Sequence, residues 1–93
     1  MDITGLFNKK SQFATRYVGK ELVLVPVKNS VAEMNELFTL NEVGSFIWEN
    51  IDGINTEESI AASVADEFEV DMQTAKTDVA DFLYRLTEMV SNC

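Results

Sequence analysis

Histidine is absent from the 93 residues, and cysteine and proline occur once each, as Cys93 and Pro26. The lack of histidine excludes Ser-His-Asp and Cys-His nucleophile arrangements and removes the commonest zinc ligand. A single terminal cysteine excludes an internal disulfide and a cysteine-based metal site. None of the serines follows an aspartate, the context in which carrier proteins hold phosphopantetheine. We therefore expect a binding module that is not an enzyme and holds no cofactor and no metal.

Long hydrophobic runs are also missing, since no apolar stretch approaches the ~20 residues that a membrane span needs. The opening residues, 1–7, lack the basic region and apolar core of a signal peptide. We therefore expect a cytoplasmic chain with no membrane contact. With 93 residues there is room for one domain, and a hydrophobic content of 46% is too high for a disordered polypeptide.

Basic residues are scarce, with seven against sixteen acidic ones and a net charge of −9. The imbalance lies after residue 40, where Lys76 and Arg85 stand against twelve acidic side chains. Binding to nucleic acids depends on cationic side chains that meet phosphates, so we expect no nucleic-acid partner. The acidic clusters lack the glycine turn and alternating oxygen ligands of a calcium loop, and we interpret them as solvated helix faces.

The first half of the domain has the pattern of an antiparallel sheet. Two runs rich in β-branched and aromatic residues, 13–18 and 21–27, flank Gly19-Lys20 and predict a β-hairpin. The second run is almost entirely apolar, which favours cover on both faces, with Pro26 at a strand end or an unpaired position. A polar connection over 28–35 leads to a short third strand, Glu36–Leu40. Alternatively, residues 31–34 form a helical turn within that connection.

After Leu40 the apolar residues recur with the helical period. Helices are predicted near 42–52, 56–68 and 71–90, with caps at Asn41, Thr56 and Asp71 and a stop at Asp52-Gly53. Trp48 lies beside an apolar stripe and is expected in the core. Gly44, inside the first of these helices, suggests the close approach of a neighbouring element.

The predicted fold class is therefore α+β, in the order β-β-β-α-α-α: a three-stranded antiparallel sheet followed by a three-helix bundle, a winged-helix-like arrangement. We expect a loosely held N-terminal arm over 1–12, a single domain over 13–90 and a frayed C-terminus over 91–93. Winged helices often bind DNA through a basic recognition helix. The second predicted helix has no basic residue, so DNA binding by this chain alone is not expected.

The order and spacing of these elements resemble the PqqD-like proteins, the pyrroloquinoline-quinone synthesis protein D type, also called recognition elements of ribosomally made, modified peptides. The resemblance covers about residues 13–90. Its strand-turn-strand opening corresponds to 13–27, and its central segment L-N-x-x-(A/G)-x-x-(I/L)-W corresponds to 40–48. Asp52-Gly53, the 56–60 segment and the closing 78–86 segment follow in family order. The connection 28–35 and the arm 1–12 depart from the family pattern.

The resemblance implies a peptide chaperone that binds the leader segment of a precursor peptide and delivers it to a modifying enzyme, often a radical S-adenosylmethionine (SAM) protein. An exposed sheet edge can accept an extended peptide as an added strand, while a neighbouring helix supplies apolar pockets. The candidate peptide-binding residues fall on the third strand and the last helix: Glu36, Leu37, Phe38, Thr39, Leu40, Lys76, Val79, Ala80, Leu83, and Arg85 or Leu86. Ordinary core packing is the competing interpretation for Val79, Phe82 and Leu86.

A second hypothesis is a winged-helix accessory subunit of a transcriptional or other complex that binds protein rather than DNA. The same exposed edge strand would also let two copies of the chain pair as a homodimer. The identity of the peptide, the partner enzyme and the pathway stay open at this point.

Overall fold

The structure, a computed structural model, describes residues 3–28, 31–32 and 37–91. It confirms the α+β class, with an antiparallel sheet followed by three helices, and adds one helix and one short strand. In chain order the elements are α1 (Ile3–Lys9), a 3-10 turn (Lys10–Gln12), β1 (Phe13–Val18), β2 (Glu21–Lys28), β3 (Val31–Ala32), β4 (Phe38–Leu40), α2 (Glu42–Asn50), α3 (Glu57–Glu67) and α4 (Met72–Ser91).

Strands β1 and β2 form the predicted hairpin, in which Val18 is paired with Glu21. Gly19 is the first of the two turn residues and has a φ of +63°. A two-residue turn that fits the twist of a hairpin needs positive φ at this position, which glycine adopts without steric cost. The hairpin is therefore set by the local sequence.

Strand β2 lies at the centre of the sheet. It pairs with β1 along one side, and along the other side it pairs with β4 through Leu22–Leu24 and with β3 through Val27–Lys28. Pro26 lies between those two stretches, at a place where its missing N–H costs no ladder hydrogen bond.

The expectation that β2 is covered on both faces is wrong. Leu22, Leu24 and Pro26 are buried, whereas Val23, Val25 and Val27 are only half-buried. Successive side chains of a strand point to opposite faces, and the first three point to the face that packs on the core. Valine is favoured in strands by its β-branched shape, so an apolar run does not by itself require cover on both faces.

The connection between β2 and β4 also differs from the sequence prediction. Val31–Ala32 form strand β3, which pairs antiparallel with Val27–Lys28. They are therefore not part of the helical turn considered for 31–34, of which residues 33 and 34 lie outside the described residues. The predicted third strand, Glu36–Leu40, corresponds to β4 over Phe38–Leu40. Leu37 precedes β4, and Glu36 lies outside the described residues.

The three C-terminal helices begin at the predicted caps. The Asn41 Oδ1 atom accepts a 2.8 Å hydrogen bond from the Gly44 N–H, and Thr56 forms a capping box with Ser59. The Asp71 carboxylate accepts a 2.6 Å hydrogen bond from the Thr74 N–H at the start of α4. Helix α2 ends at Asn50, two residues before the predicted end, and Gly53 follows with a φ of +83°.

The loosely held arm expected over 1–12 is not what residues 3–12 form. Helix α1 buries Leu6, and the Lys10 Nζ donates 2.9 Å hydrogen bonds to the carbonyl oxygens of Trp48 and Ile51. The lysine thereby caps the C-terminus of α2, where cations are favoured. Burial lowers the pKa of Lys10, and the nearby Glu49 and Asp52 carboxylates oppose that shift.

The core lies between the sheet and the helices. Trp48 is buried, as expected, and meets the Phe13 ring edge-on with 5.9 Å between ring centres. The largest fully buried side chains of the core come from β2, from the three C-terminal helices and from the C-cap of α2: Leu22, Leu24, Pro26, Ile47, Ile51, Ile60, Val64, Val79 and Leu86. Within the described residues, no helix is both long enough and apolar enough to cross a bilayer.

Candidate functional site

The outer edge of β4 directs backbone groups away from the rest of the sheet. Hydrogen-bonded and non-hydrogen-bonded pairs alternate along an antiparallel ladder. The two-residue turn makes Val18 and Glu21 a hydrogen-bonded pair, so Leu22 and Leu24 direct their backbone groups toward β4. Thr39, which lies opposite Val23, then directs its N–H and C=O away from β2. Among the described residues β4 pairs only with β2, which leaves this edge available.

A groove runs between that edge and helix α4, and we call it the β4–α4 groove. Its first section is a recess of about 220 Å³. The strand side contributes exposed Thr39 and buried Leu40, and the helix side contributes a row of four side chains. The lining residues are Thr39, Leu40, Asn41, Phe82, Arg85, Leu86 and Met89. The groove thus combines a strand edge with an apolar helix face.

A second recess of about 270 Å³ continues the groove toward the start of α4. The two recesses share Asn41, Phe82 and Arg85, so they adjoin each other along α4. This section is more polar, since its helix side presents Asp78 and Asp81. Arg85 pairs with Asp81 at 3.2 Å, and both side chains are largely exposed.

The corner between β4 and α2 is fixed by short hydrogen bonds and by a glycine. The Ser45 hydroxyl donates to the Leu40 and Asn41 carbonyl oxygens, at 3.2 and 2.8 Å. A Cβ atom on Gly44 would lie 2.9 Å from the Phe82 ring. The close approach predicted at Gly44 is therefore confirmed, and the neighbour is α4. This contact seats Phe82 at the middle of the groove.

The structure brings together only part of the predicted peptide-binding set. Thr39, Leu40, Leu86 and Arg85 line the β4–α4 groove. Leu37, 49% exposed, and half-buried Phe38 lie on or beside β4, while Glu36 falls outside the described residues.

The other predicted helix residues lie elsewhere. Val79 is fully buried in the core. Lys76 and Ala80 line a recess between α3 and α4, together with Glu57, Glu58 and Ala61. Leu83 is 8% exposed and faces a recess beside α1, on the opposite side of α4 from the groove.

Three groove residues were not among the predicted binding residues: Asn41, Phe82 and Met89. Asn41 was identified only as a helix cap, and Phe82 only as part of the apolar stripe. The apolar stripe of α4 is wider than its fully buried face, and this width could have indicated Phe82 and Met89 as groove residues. Residues 75, 79, 83, 86 and 90 form the buried face of α4, and Phe82 and Met89, which are partly buried and pack against the core, widen the apolar face of the helix.

The groove offers hydrogen-bonding edges and apolar surface rather than reactive groups. Within the described part of the chain, no three carboxylate or thiol side chains lie close enough together to hold a metal ion. An arrangement of this kind can hold an extended chain through its backbone and select it through alternate side chains.

Comparison with known proteins identifies the family. Residues 21–89 match the model of coenzyme PQQ synthesis protein D (PqqD), and the chain belongs to this family. The resemblance noted in the sequence is thereby confirmed. No curated protein sequence matches the chain.

A solved structure of TbiB1 in complex with the TbiA(β) leader peptide has a similar fold. The two chains are 27% identical and superpose with a TM-score of 0.66, covering 83% of this chain and 84% of the TbiB1 chain. In that structure a member of the same fold holds a leader peptide.

Proposed function

We propose that this protein is a non-catalytic adaptor that binds the leader segment of a ribosomally made precursor peptide in the β4–α4 groove. The peptide adds to β4 as a further antiparallel strand, and the adaptor presents it to a modifying enzyme such as a radical SAM protein. In this proposal the enzyme carries out the chemical modification of the peptide, and the adaptor and the enzyme both act in the cytoplasm.

The observation that carries the proposal is the outward-facing backbone of Thr39 beside a groove with an apolar helix wall. An added strand would exchange hydrogen bonds with Thr39 and extend the sheet. Membership of the PqqD family and the leader-peptide complex of TbiB1 support the choice of a leader segment as the peptide.

The inner-facing side chains of the added strand would meet α4. In a strand every second residue points to the same face, so alternate peptide side chains would contact Phe82, Leu86 and Met89. Strand β4 has only three residues, which limits the number of backbone hydrogen bonds, and fixing a flexible peptide costs free energy. We therefore expect dissociation constants of roughly micromolar to high nanomolar.

The strand edge is tested with Thr39→Pro and a matched control, Thr15→Pro. Thr15 lies on β1 opposite Leu24, and by the same alternation its N–H faces outward at the other edge of the sheet. Proline removes that N–H in both variants. The probes are synthetic N-terminal halves of short peptides encoded beside this gene. Thr39→Pro should weaken binding about threefold to tenfold, and Thr15→Pro should leave it unchanged.

The helix wall is tested with Met89→Glu, which places a charge in the groove. Its control is Tyr84→Glu, on the opposite side of α4 and 68% exposed. Circular dichroism first establishes that each variant is folded, and NMR titration then maps the bound surface. Binding that shifts amide signals outside 37–41 and 82–89, or that survives both Thr39→Pro and Met89→Glu, contradicts the proposal.

A further inference from the structure

The β4–α4 groove has two chemically different ends. Thr39 and Leu40 lie with Leu86 and Met89 at one end, and Asn41, Val43 and Gly44 lie with Asp78 and Asp81 at the other. The chain from β4 into α2 therefore runs from the apolar end of the groove toward its acidic end, opposite to the direction of α4.

The two acidic residues at that end are not equivalent. Asp81 is paired with Arg85 at 3.2 Å. Asp78 is exposed, and within the described residues no basic side chain forms a salt bridge with it. Arg85, the cation shared by both recesses, is thus already balanced by Asp81, and the Asp78 carboxylate is left to meet the occupant of the groove.

We infer that the leader segment bound here carries a lysine or arginine that lies against Asp78, on the N-terminal side of its apolar anchor residue. This inference rests on the proposed function, because it takes the occupant to be an added strand. Every strand pair in the sheet is antiparallel, and antiparallel pairing is the more stable. A peptide antiparallel to β4 begins at the acidic end of the groove and runs toward Met89.

The spacing within the peptide follows from helix and strand geometry. The apolar wall, centred near residue 86, lies about six residues along α4 from the acidic pair, which is about 9 Å at 1.5 Å per residue. An extended peptide covers that distance in about two to four residues. The net charge of −9 would also draw a cationic segment toward this surface and repel an anionic one.

The test starts from a displayed library of random 12-residue peptides, selected against the full chain. We expect lysine or arginine to be enriched two to four positions before an apolar residue. One selected peptide is then synthesised together with its Lys→Gln or Arg→Gln version. Binding of both is measured to the parent chain, to Asp78→Asn and to a matched control, Asp66→Asn. Asp66 is an exposed acid on α3, outside the groove. Asp66→Asn therefore changes the net charge by the same amount as Asp78→Asn without altering the groove.

Asp78→Asn should weaken the basic peptide about twofold to fivefold, the range that exposed ion pairs give, and should leave the neutral peptide unchanged. Asp66→Asn should affect both peptides equally. Equal effects of Asp78→Asn and Asp66→Asn, with the peptide still shifting the Thr39 amide signal, would overturn this inference alone. A library that yields no peptide acting on Thr39 would overturn the proposed function and this inference with it.

Discussion

At the scale of single residues, Glu69 occupies a backbone conformation that favours glycine. Its φ is +54°, and it follows the C-cap Phe68 at the end of α3. The Val70 N–H donates to the Ala65 carbonyl oxygen at 3.2 Å, the hydrogen bond of a Schellman motif. The turn that sets α4 against α3 therefore contains a side chain in the left-handed region, at a cost in free energy.

Glu69→Gly should raise the free energy of unfolding by about 0.5–1 kcal/mol, because relief of the left-handed strain exceeds the entropy that glycine adds to the unfolded chain. Chemical denaturation measures the change. Ala62→Gly is the control, since Ala62 is exposed inside α3, and it should lower stability by about 1 kcal/mol. If both glycine variants lose stability, the strain argument is wrong.

Particular residues show how much of the fold and of the candidate site can be predicted from the sequence. The caps at Asn41, Thr56 and Asp71 and the turn at Gly19 could be predicted because each depends on a few neighbouring residues. Gly44 indicated a close approach, but its partner Phe82 lies 38 positions away, and helical spacing does not reveal such a contact. The predicted binding residues therefore come from the strand and the helix that line the β4–α4 groove, but several of them lie on another side of that helix.

At the scale of elements, α1 and the Lys10 cap were not predicted because they also depend on contacts between distant segments of the chain. Residues 3–12 are mixed in composition, and their conformation is fixed by contacts with α4 and with the end of α2. Contacts between distant segments decide the conformation of a short helix, since isolated short helices are marginal in water. The same holds for β3, whose two residues are ordered by the ladder of β2.

Helix α4 begins at an aspartate whose titration couples to stability. The hydrogen bond from the Thr74 N–H lowers the pKa of Asp71 below its ordinary value of 3.8. As the pH falls below 3.8, the unfolded chain binds the proton first, so the folded state loses stability until the pH passes the folded pKa. The contribution of Asp71 is therefore fully present at neutral pH and is lost in acid.

Asp71→Asn keeps an N-capping side chain but removes this titration. We expect the stability difference between parent and variant to be largest at neutral pH and to shrink between about pH 5 and pH 2. Urea denaturation at a series of pH values measures it. Asp52, whose pKa is lowered by the Asn55 and Ile54 N–H groups, still titrates in the variant and leaves it part of the acid sensitivity. Parallel pH curves for the two proteins would exclude the proposed coupling.

At the scale of the whole molecule, the charge is divided between the two halves of the chain. The segment 1–40 carries nearly balanced charges, while 41–93 carries twelve acidic residues and two basic ones. The second segment forms α2, α3 and α4, the helices in which a winged-helix protein would place its DNA-contacting residues. The helical half of this chain thus carries the same sign of charge as the phosphates of DNA.

We therefore expect no retardation of a random-sequence DNA duplex by this protein at about 150 mM salt, because contacts between cationic side chains and phosphates supply most of the non-specific affinity for DNA. An electrophoretic mobility assay over a range of protein concentrations measures this. The helical half has two basic residues, and neither offers a free positive charge to a phosphate. Lys76 lies beside Glu57 and Glu58. Arg85 is paired with Asp81. Tight binding to the duplex that weakens steeply with added salt would show that a basic surface had been overlooked, and it would favour a subunit of a transcriptional complex over a peptide adaptor.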